Sequence, residues 1–336
     1  MTITQLDYCQ YLLSSPINYT QTYFADHVEG LSHDRLNRLM QQIDVQPEDL
    51  WKSIQETLVV SENGYVVFDD TVLDKRHSFK IAYVQSQWSG NEHRTIKGIG
   101  VVTCIYVNPD TQQFWAIDYR LYNPSEDGKS KLDHVKEMLN ACVERKQLPF
   151  KTVLMDTWYA DRSLMLHIGD TLKKIYYTAI KSNRLIAYHQ GTHAYQSVGS
   201  LDWTDEELES GKLIVLNDFP NEHKVQLFRV PVLPNRTDFV VTNDLSQDTA
   251  QAVRQECKIR WKIEEFHREI KQLTGIESCQ CRKAIIQKNH IGCSMLVWAR
   301  LKNLAYQSGR NVYDLWKSQY DHMISNLFRS PILAFA

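Results

Sequence analysis

Between Cys257 and Gly275 apolar residues recur at Ile259, Ile263, Phe266, Ile270 and Leu273, in steps of 4, 3, 4 and 3. This spacing predicts a single amphipathic helix, each residue advancing about 100° around its axis. With Ile259 at zero, Arg260, Glu264 and Lys271 fall near roughly 100°, 140° and 120°. They form a polar stripe beside the buried one, while Glu265 and Glu269 fall on the opposite flank. One glutamate therefore stands between two cations on the shoulder of a packed helix. Taken alone, the pattern fits a solvated face of i,i+4 pairs equally well.

The rest of the chain divides by the same reading. Residues 1–60 pattern as helices: Ser32 is placed to cap Asp34–Gln42, and Pro47 suits the first turn of a helix running through Thr57. Tyr65–Thr71 is a short apolar run ending in carboxylates, the pattern of a buried strand. Ile99–Val107 and Gln113–Tyr122 are β-branched and aromatic stretches around a turn-rich Asn108–Thr111, and with the first strand they predict an antiparallel meander. Leu132–Gln147 has helical spacing at Val135, Met138, Leu139 and Cys142. A strand over Lys151–Met155 ends at Asp156, a helix over Arg162–Gly169 starts from Asp161 as its cap, and Lys174–Ile180 is another strand. From Lys181 to Ser246, strand-like runs (Lys212–Leu216, Val225–Val230, Phe239–Thr242) alternate with turn residues and an acidic patch, Asp202–Glu209. Helices are expected near Ile285–Gln307 and Val312–Leu327, before a Pro-containing tail.

A chain of 336 residues, 43% hydrophobic and 23% charged, can bury a large core. Its net charge of −2 is informative only when divided. Residues 249–336 hold 14 Lys and Arg against 7 Asp and Glu, a net of +7; the remainder carries 24 against 33. A basic C-terminal quarter on an acidic body suggests a local surface for a polyanion. Two short helices with a tight connection in residues 1–60 could read DNA as a helix-turn-helix, yet 3 basic against 8 acidic residues there disfavour phosphate contact. Seven scattered cysteines form no disulfide framework and point to a reducing cytoplasm. Cys279, Cys281, His290 and Cys293 lack the C-x-x-C spacing of a zinc knuckle. With no signal-peptide pattern and no apolar run near ~20 residues, the chain is expected to be neither exported nor membrane-spanning.

Arg260, Glu264 and Lys271 spell R-x-x-x-E-x-x-x-x-x-x-K. With the embedded Arg260-Trp261-Lys262-Ile263-Glu264-Glu265-Phe266-His267, this resembles the signature of the DDE transposases of bacterial cut-and-paste insertion sequences. The family signature opens with a tyrosine three places before the arginine, where this chain has Cys257.

The resemblance implies an α/β fold: an RNase H-like mixed sheet flanked by helices, matching the element order above. It places a mostly β insertion between the second catalytic aspartate and the glutamate. The expected division is a helical region over 1–60, a catalytic core over 61–180 and 247–280, an insertion over 181–246, and a helical region over 281–336. Phosphodiester cleavage of this kind needs hard oxygen ligands around a pair of Mg2+ ions about 4 Å apart, for which Mn2+ can substitute. Asp70, Asp156 and Glu264 are the expected ligands and catalytic groups. Adjacent strand residues face opposite sides, so only one of Asp69 and Asp70 can face the metals. The family's aspartate stands immediately before a threonine, which selects Asp70; Asp118 is a weaker rival.

Arg260 and Lys271 fit phosphate clamping. Lys75, Lys262 and Arg268 are further candidates for DNA-backbone contact, and Trp203 for stacking on a flipped base. The implied partners are double-stranded DNA, as terminal inverted repeats and target, and a second copy of the chain in a synaptic complex. The implied location is the cytoplasm, at the nucleoid. A catalytically decayed or domesticated DNA-binding protein and an RNase H-like nuclease without strand transfer are the competing readings.

Overall fold

The computed structural model describes residues 3–15, 20–76, 78, 80–90, 92–189, 195–233 and 236–329. Four helices open the chain: α1 (Gln5–Ser14), α2 (Gln21–Asp26), α3 (His33–Gln42) and α4 (Pro47–Ile54). Ser32 caps α3 by accepting from the Arg35 amide, and Pro47 opens α4. Strands β1 (Tyr65–Asp74), β2 (Gln85–Ser89), β3 (Arg94–Val107) and β4 (Phe114–Tyr122) follow. A one-turn helix, α5 (Pro124–Asp127), leads to α6 (Lys131–Glu144), β5 (Thr152–Met155), α7 (Arg162–Leu166) and β6 (Ile175–Ile180). Then come β7 (Leu185–His189), β8 (Gln196–Ser197), α8 (Asp205–Ser210), β9 (Lys212–Leu216), β10 (Val225–Leu233) and β11 (Arg236–Thr242). The chain finishes with α9 (Ala250–Lys258), α10 (Trp261–Thr274), α11 (Ala284–Ser308), α12 (Val312–Ser318) and α13 (Asp321–Arg329).

The eleven strands among the described residues form one mixed sheet, ten in the order β2-β3-β1-β5-β6-β11-β10-β9-β7-β8 and the eleventh, β4, paired with β3 off that path. The long β3 pairs with β2 through its first part and with β4 through its second. β1 is antiparallel to β3 but parallel to β5, and β5 is parallel to β6. An antiparallel meander continued by parallel strands is the RNase H-like arrangement, with helices covering the sheet. The strands of 181–246 do not stand apart from it: β11 pairs directly with β6.

Burial explains why these elements form where they do. Val66, Val67 and Phe68 are at most 1% exposed, so the apolar run of β1 lies in the middle of the sheet until the carboxylates of Asp69 and Asp70 interrupt it. Ile263, Phe266 and Ile270 of α10 join the same core. A second core, built from Tyr8, Leu12, Phe24, Leu36 and Met40, packs the N-terminal helices on Cys293 and Val297 of α11. These helices are thus packed on the long C-terminal helix, which favours a packing role over groove reading.

Asn289 of α11 fastens this contact. Its amide donates to the carbonyls of Met40 (2.9 Å), in the last turn of α3, and Ile43 (2.7 Å), and its oxygen accepts from the Val45 amide (2.9 Å), the latter two in the α3–α4 connection. Gly292, one turn on, lets that connection approach: a Cβ there would lie 2.6 Å from the Val45 side chain. Asn289→Ala strands buried backbone groups at about 1–3 kcal/mol each. A loss of about 3 kcal/mol in urea unfolding is expected, without change in sheet content by circular dichroism.

The helix expected from Cys257 to Gly275 is in fact two. α9 ends at Lys258 and α10 begins at Trp261, the join being made by tighter i,i+3 bonds such as Ile259 N–H to Glu256 O (3.1 Å). Ile259 still packs on the core, so the apolar stripe runs unbroken across a backbone that does not. Glu264 therefore lies in the first turn of α10, where the positive end of the helix dipole favours a carboxylate.

Candidate active site

Register decides which carboxylates meet. On the parallel pair β1–β5, Val67 lies opposite Leu154. Two steps further along both strands, Asp69 comes abreast of Asp156, the residue just past β5. Paired residues on parallel strands point to the same face, so Asp69 shares the side of Asp156 and Asp70 faces away. Side-chain contacts among the described residues join Asp69 to α10, with Asp156 outside the group. Ligand atoms of Asp69, Glu264 and His267 all lie within 4.8 Å of one another. Arg260 bridges the first two, its Nη1 standing 3.3 Å from Glu264 and 3.7 Å from Asp69.

Asp70 is engaged elsewhere. It accepts from Lys131 Nζ at 2.6 Å and from the Tyr159 hydroxyl at 2.9 Å. Among the described residues it is Asp69, beside the expected Asp70, that stands next to Glu264 and His267. A neighbouring threonine says nothing about which face of the strand a side chain takes; the register with β5 does.

Burial pushes the Asp69 carboxyl up to about 8, with Asp70 and Asp156 adding negative charge and Arg260 opposing them. A buried carboxyl crowded by two others and by one guanidinium suits a divalent cation, whose charge offsets that repulsion. His267 stays neutral, burial pushing it down to about 3. The Thr103 hydroxyl donates to the Asp69 carbonyl (3.1 Å), so it accepts from His267 Nε2 (2.8 Å), which leaves Nδ1 without a proton. His267 was legible in principle: Glu-x-x-His puts both groups on one helix face.

Other expected residues are placed as follows. Asp156 accepts from the Thr157 amide at the head of the loop after β5, and Asp161 caps α7 as expected. Asp118 is buried in ion pairs with Lys146 (2.7 Å) and Arg120, which removes it as a rival. Lys271 does not reach Glu264: its Nζ bonds the Val72 carbonyl (3.0 Å) and Glu277 (3.0 Å). Lys75 is only 3% exposed and donates to the carbonyls of Glu277 and Cys279, which corrects its expected role at a DNA surface. Lys262 pairs with Glu265 at 3.2 Å, whereas Arg268 is exposed. Trp203 is half-buried against the core with Lys212 Nζ 5.1 Å from its ring centre, so that face is already taken. The exposed rings next to the site are instead Trp158 (57%) and Trp261 (66%), two residues past Asp156 and one past Arg260. Cys257 is half-buried, desolvation pushing its thiol up to about 12. All seven cysteines are free, and no cysteine joins a metal-holding group among the described residues.

The transposase DDE domain family matches residues 62–299, and the chain belongs to that family. It is a transposase-type DNA-cutting enzyme. Among solved structures the chain is similar to the piggyBac transposase in its synaptic complex with hairpin DNA, at 9% identity and a TM-score of 0.54, over 98% of this chain and 73% of that one. This likeness concerns the fold. Endonuclease V from Ciona intestinalis aligns over 68% of this chain and 95% of its own at 10% identity, with a TM-score of 0.32 too low to argue from. No curated protein sequence matches. No helix among the described residues is long and apolar enough to cross a membrane.

Proposed function

We propose that this chain cuts and joins DNA at the ends of an insertion sequence, with Asp69, Asp156 and Glu264 as the catalytic, metal-holding carboxylates. The observation that carries this reading is the convergence of Asp69 and Glu264, 195 positions apart in sequence, within 4.8 Å beside His267. Two Mg2+ ions, replaceable by Mn2+, fit such oxygen donors, and when bound they supply an activated water or 3′-hydroxyl and a stabilised leaving oxygen. Asp69 and Asp156 present oxygens from neighbouring strands, and Glu264 closes the set from α10. Arg260 balances their charge in the metal-free chain and is free to turn to a DNA phosphate once cations take that part.

Asp70 acts as a positioning residue. Its bond to Tyr159 ties the loop that follows Asp156 back to β1, and Lys131 holds the carboxylate in place. Trp158 and Trp261 take over the stacking role first assigned to Trp203. Arg268, exposed on α10, and Lys262, half-buried, remain candidates for backbone contact. Lys271 holds α10 to β1 through the Val72 carbonyl and so supports the clamp rather than forming it. The partners are terminal inverted repeats, target DNA and a second copy of the chain in a synaptic complex at the nucleoid.

Incubation with linear DNA carrying the element's own ends and Mg2+ or Mn2+ tests the reading. Cleavage followed by joining is expected; cleavage without joining would make the chain a simple nuclease, and binding alone a DNA-binding protein. Chelation with EDTA should stop cleavage while leaving end binding intact. Trp158→Ala should weaken binding of a frayed end by about 1–3 kcal/mol, the value of one base stacked on a ring, measured by fluorescence anisotropy.

A further inference from the structure

A second feature lies on the same edge of the sheet. Met155 is opposite Thr178 on the parallel pair β5–β6. One step on, Asp156 lies beside Ala179, its carbonyl accepting from the Thr178 hydroxyl (3.3 Å), and Lys181 follows two residues further along, just past the end of β6. The carboxyl ends of parallel strands are where α/β sheets receive their ligands. At this edge a cavity of about 400 Å³ is lined by Thr157 and Ala160, by Lys181, Asn183 and Arg184 of the β6–β7 turn, and by Asn217 and Asp218 after β9.

Its chemistry is that of an anion site. Two cations, two amides and a hydroxyl face a single carboxylate. Among the described residues neither Lys181 nor Arg184 forms an ion pair, although Arg184 is half-buried and Asp218 lines the same cavity. Nearly every other buried or half-buried cation near the site is committed: Lys131 to Asp70, Arg260 to Glu264, Lys271 to Glu277, Lys75 to main-chain carbonyls. Cations left unpaired in a concave polar site are placed to take up an anion from outside. A guanidinium offers two donors to one phosphate, and the ammonium of Lys181 adds a mobile charge.

We propose that this cavity holds a backbone phosphate of the DNA strand being cut, within a nucleotide or two of the scissile bond, gripped by Arg184 and Lys181. This rests on the reading of the chain as a DNA-cutting enzyme and adds to it a subsite that fixes where along the strand Asp156 acts. Asp218 limits the affinity of the subsite.

The test is anisotropy binding of a fluorescein-labelled DNA duplex with a single-stranded 3′ tail, in EDTA, over a KCl series. Each lost phosphate contact flattens the slope of log affinity against log salt by about 0.9 on duplex and about 0.7 on a single strand. Lys181→Gln/Arg184→Gln, which removes the grip on that one phosphate, is expected to flatten it by about 0.7–0.9 and to weaken binding at low salt by at least tenfold. Asp218→Asn, which removes no cation, is expected to tighten binding several-fold at unchanged slope. A double variant that keeps both slope and affinity overturns the proposal. Should that variant fail to fold by circular dichroism, unchanged affinity in Asp218→Asn overturns it instead. Parallel cleavage assays of the wild-type chain separate the two readings. A slope change without cleavage keeps the subsite and removes the catalytic reading; cleavage with an unchanged slope does the reverse. A wild-type chain that binds no DNA overturns both.

Discussion

Asp69→Asn is expected to abolish strand cleavage, and Asp70→Asn to slow it only about tenfold. The two residues are adjacent on β1, so the comparison isolates the face of the strand from everything else. Asn at 69 keeps the shape but removes the charge beside Glu264 and His267, where a cation would be held. Losing one anionic ligand withdraws several kcal/mol of transition-state stabilisation. A loss of about 4 kcal/mol is roughly a thousandfold in rate. Asn at 70 breaks the Lys131 pair but keeps an oxygen for the Tyr159 hydroxyl, so the loop after Asp156 stays tethered. A fall of about tenfold is expected there, close to the roughly 1.5 kcal/mol at the low end for a lost hydrogen bond to a charged group. Both variants should bind DNA. Single-turnover cleavage of end-labelled DNA in Mn2+ reads the difference, and equal losses in the two variants would contradict the assignment.

Lys302→Met is expected to cause the largest loss of stability of any single change in the C-terminal helices. Glu269 is 2% exposed, and its carboxylate accepts from Lys302 Nζ (2.8 Å) and from Trp298 Nε1 (2.9 Å). Burial raises the Glu269 carboxyl, while Lys302 and Trp298 pull it back toward the charged form. Removing the lysine leaves a buried acid with one neutral donor. Breaking such a pair from one side costs about 3–5 kcal/mol. The double change Glu269→Leu/Lys302→Met should recover most of that loss, because it removes both buried charges together. Urea unfolding of the two single variants and the double variant measures the cycle. If Lys302→Met is as stable as the wild-type chain, the pair is not the anchor between α10 and α11.

The fold was largely legible because its strands are apolar runs bounded by turn residues. The limits of β1, β4, β5 and β6 lie within three residues of the sequence reading. Caps were legible for the same local reason: Ser32 and Asp161 bond amides two or three residues away. What escaped is information carried by partners distant in the chain. The 4-3-4-3 stripe did not reveal the break at Ile259 and Arg260, because side-chain periodicity survives a tightened turn. Nor did it place Glu269, assigned to the flank away from the catalytic stripe; α11 covers that flank and supplies Lys302.

That Asp69 stands beside Glu264 depends on a partner 195 positions away, which no short motif encodes. Lys75 looked like a surface cation until the carbonyls of Glu277 and Cys279 were seen to enclose it. Each of Trp203 and Trp158 has a lysine over its ring, and what separates them is burial: Trp203 packs on the core while Trp158 is 57% exposed. The resemblance pointed to the helix of Glu264, and the structure sets Asp69 beside that glutamate.

The most direct test is an anomalous difference map from crystals soaked in Mn2+. The account predicts a peak touching carboxylate oxygens of Asp69 and Glu264, with Asp156 completing its oxygen ligands, at distances near the roughly 2.1 Å of a small hard cation. A peak on the Lys131 side of β1, coordinated by Asp70, would contradict it.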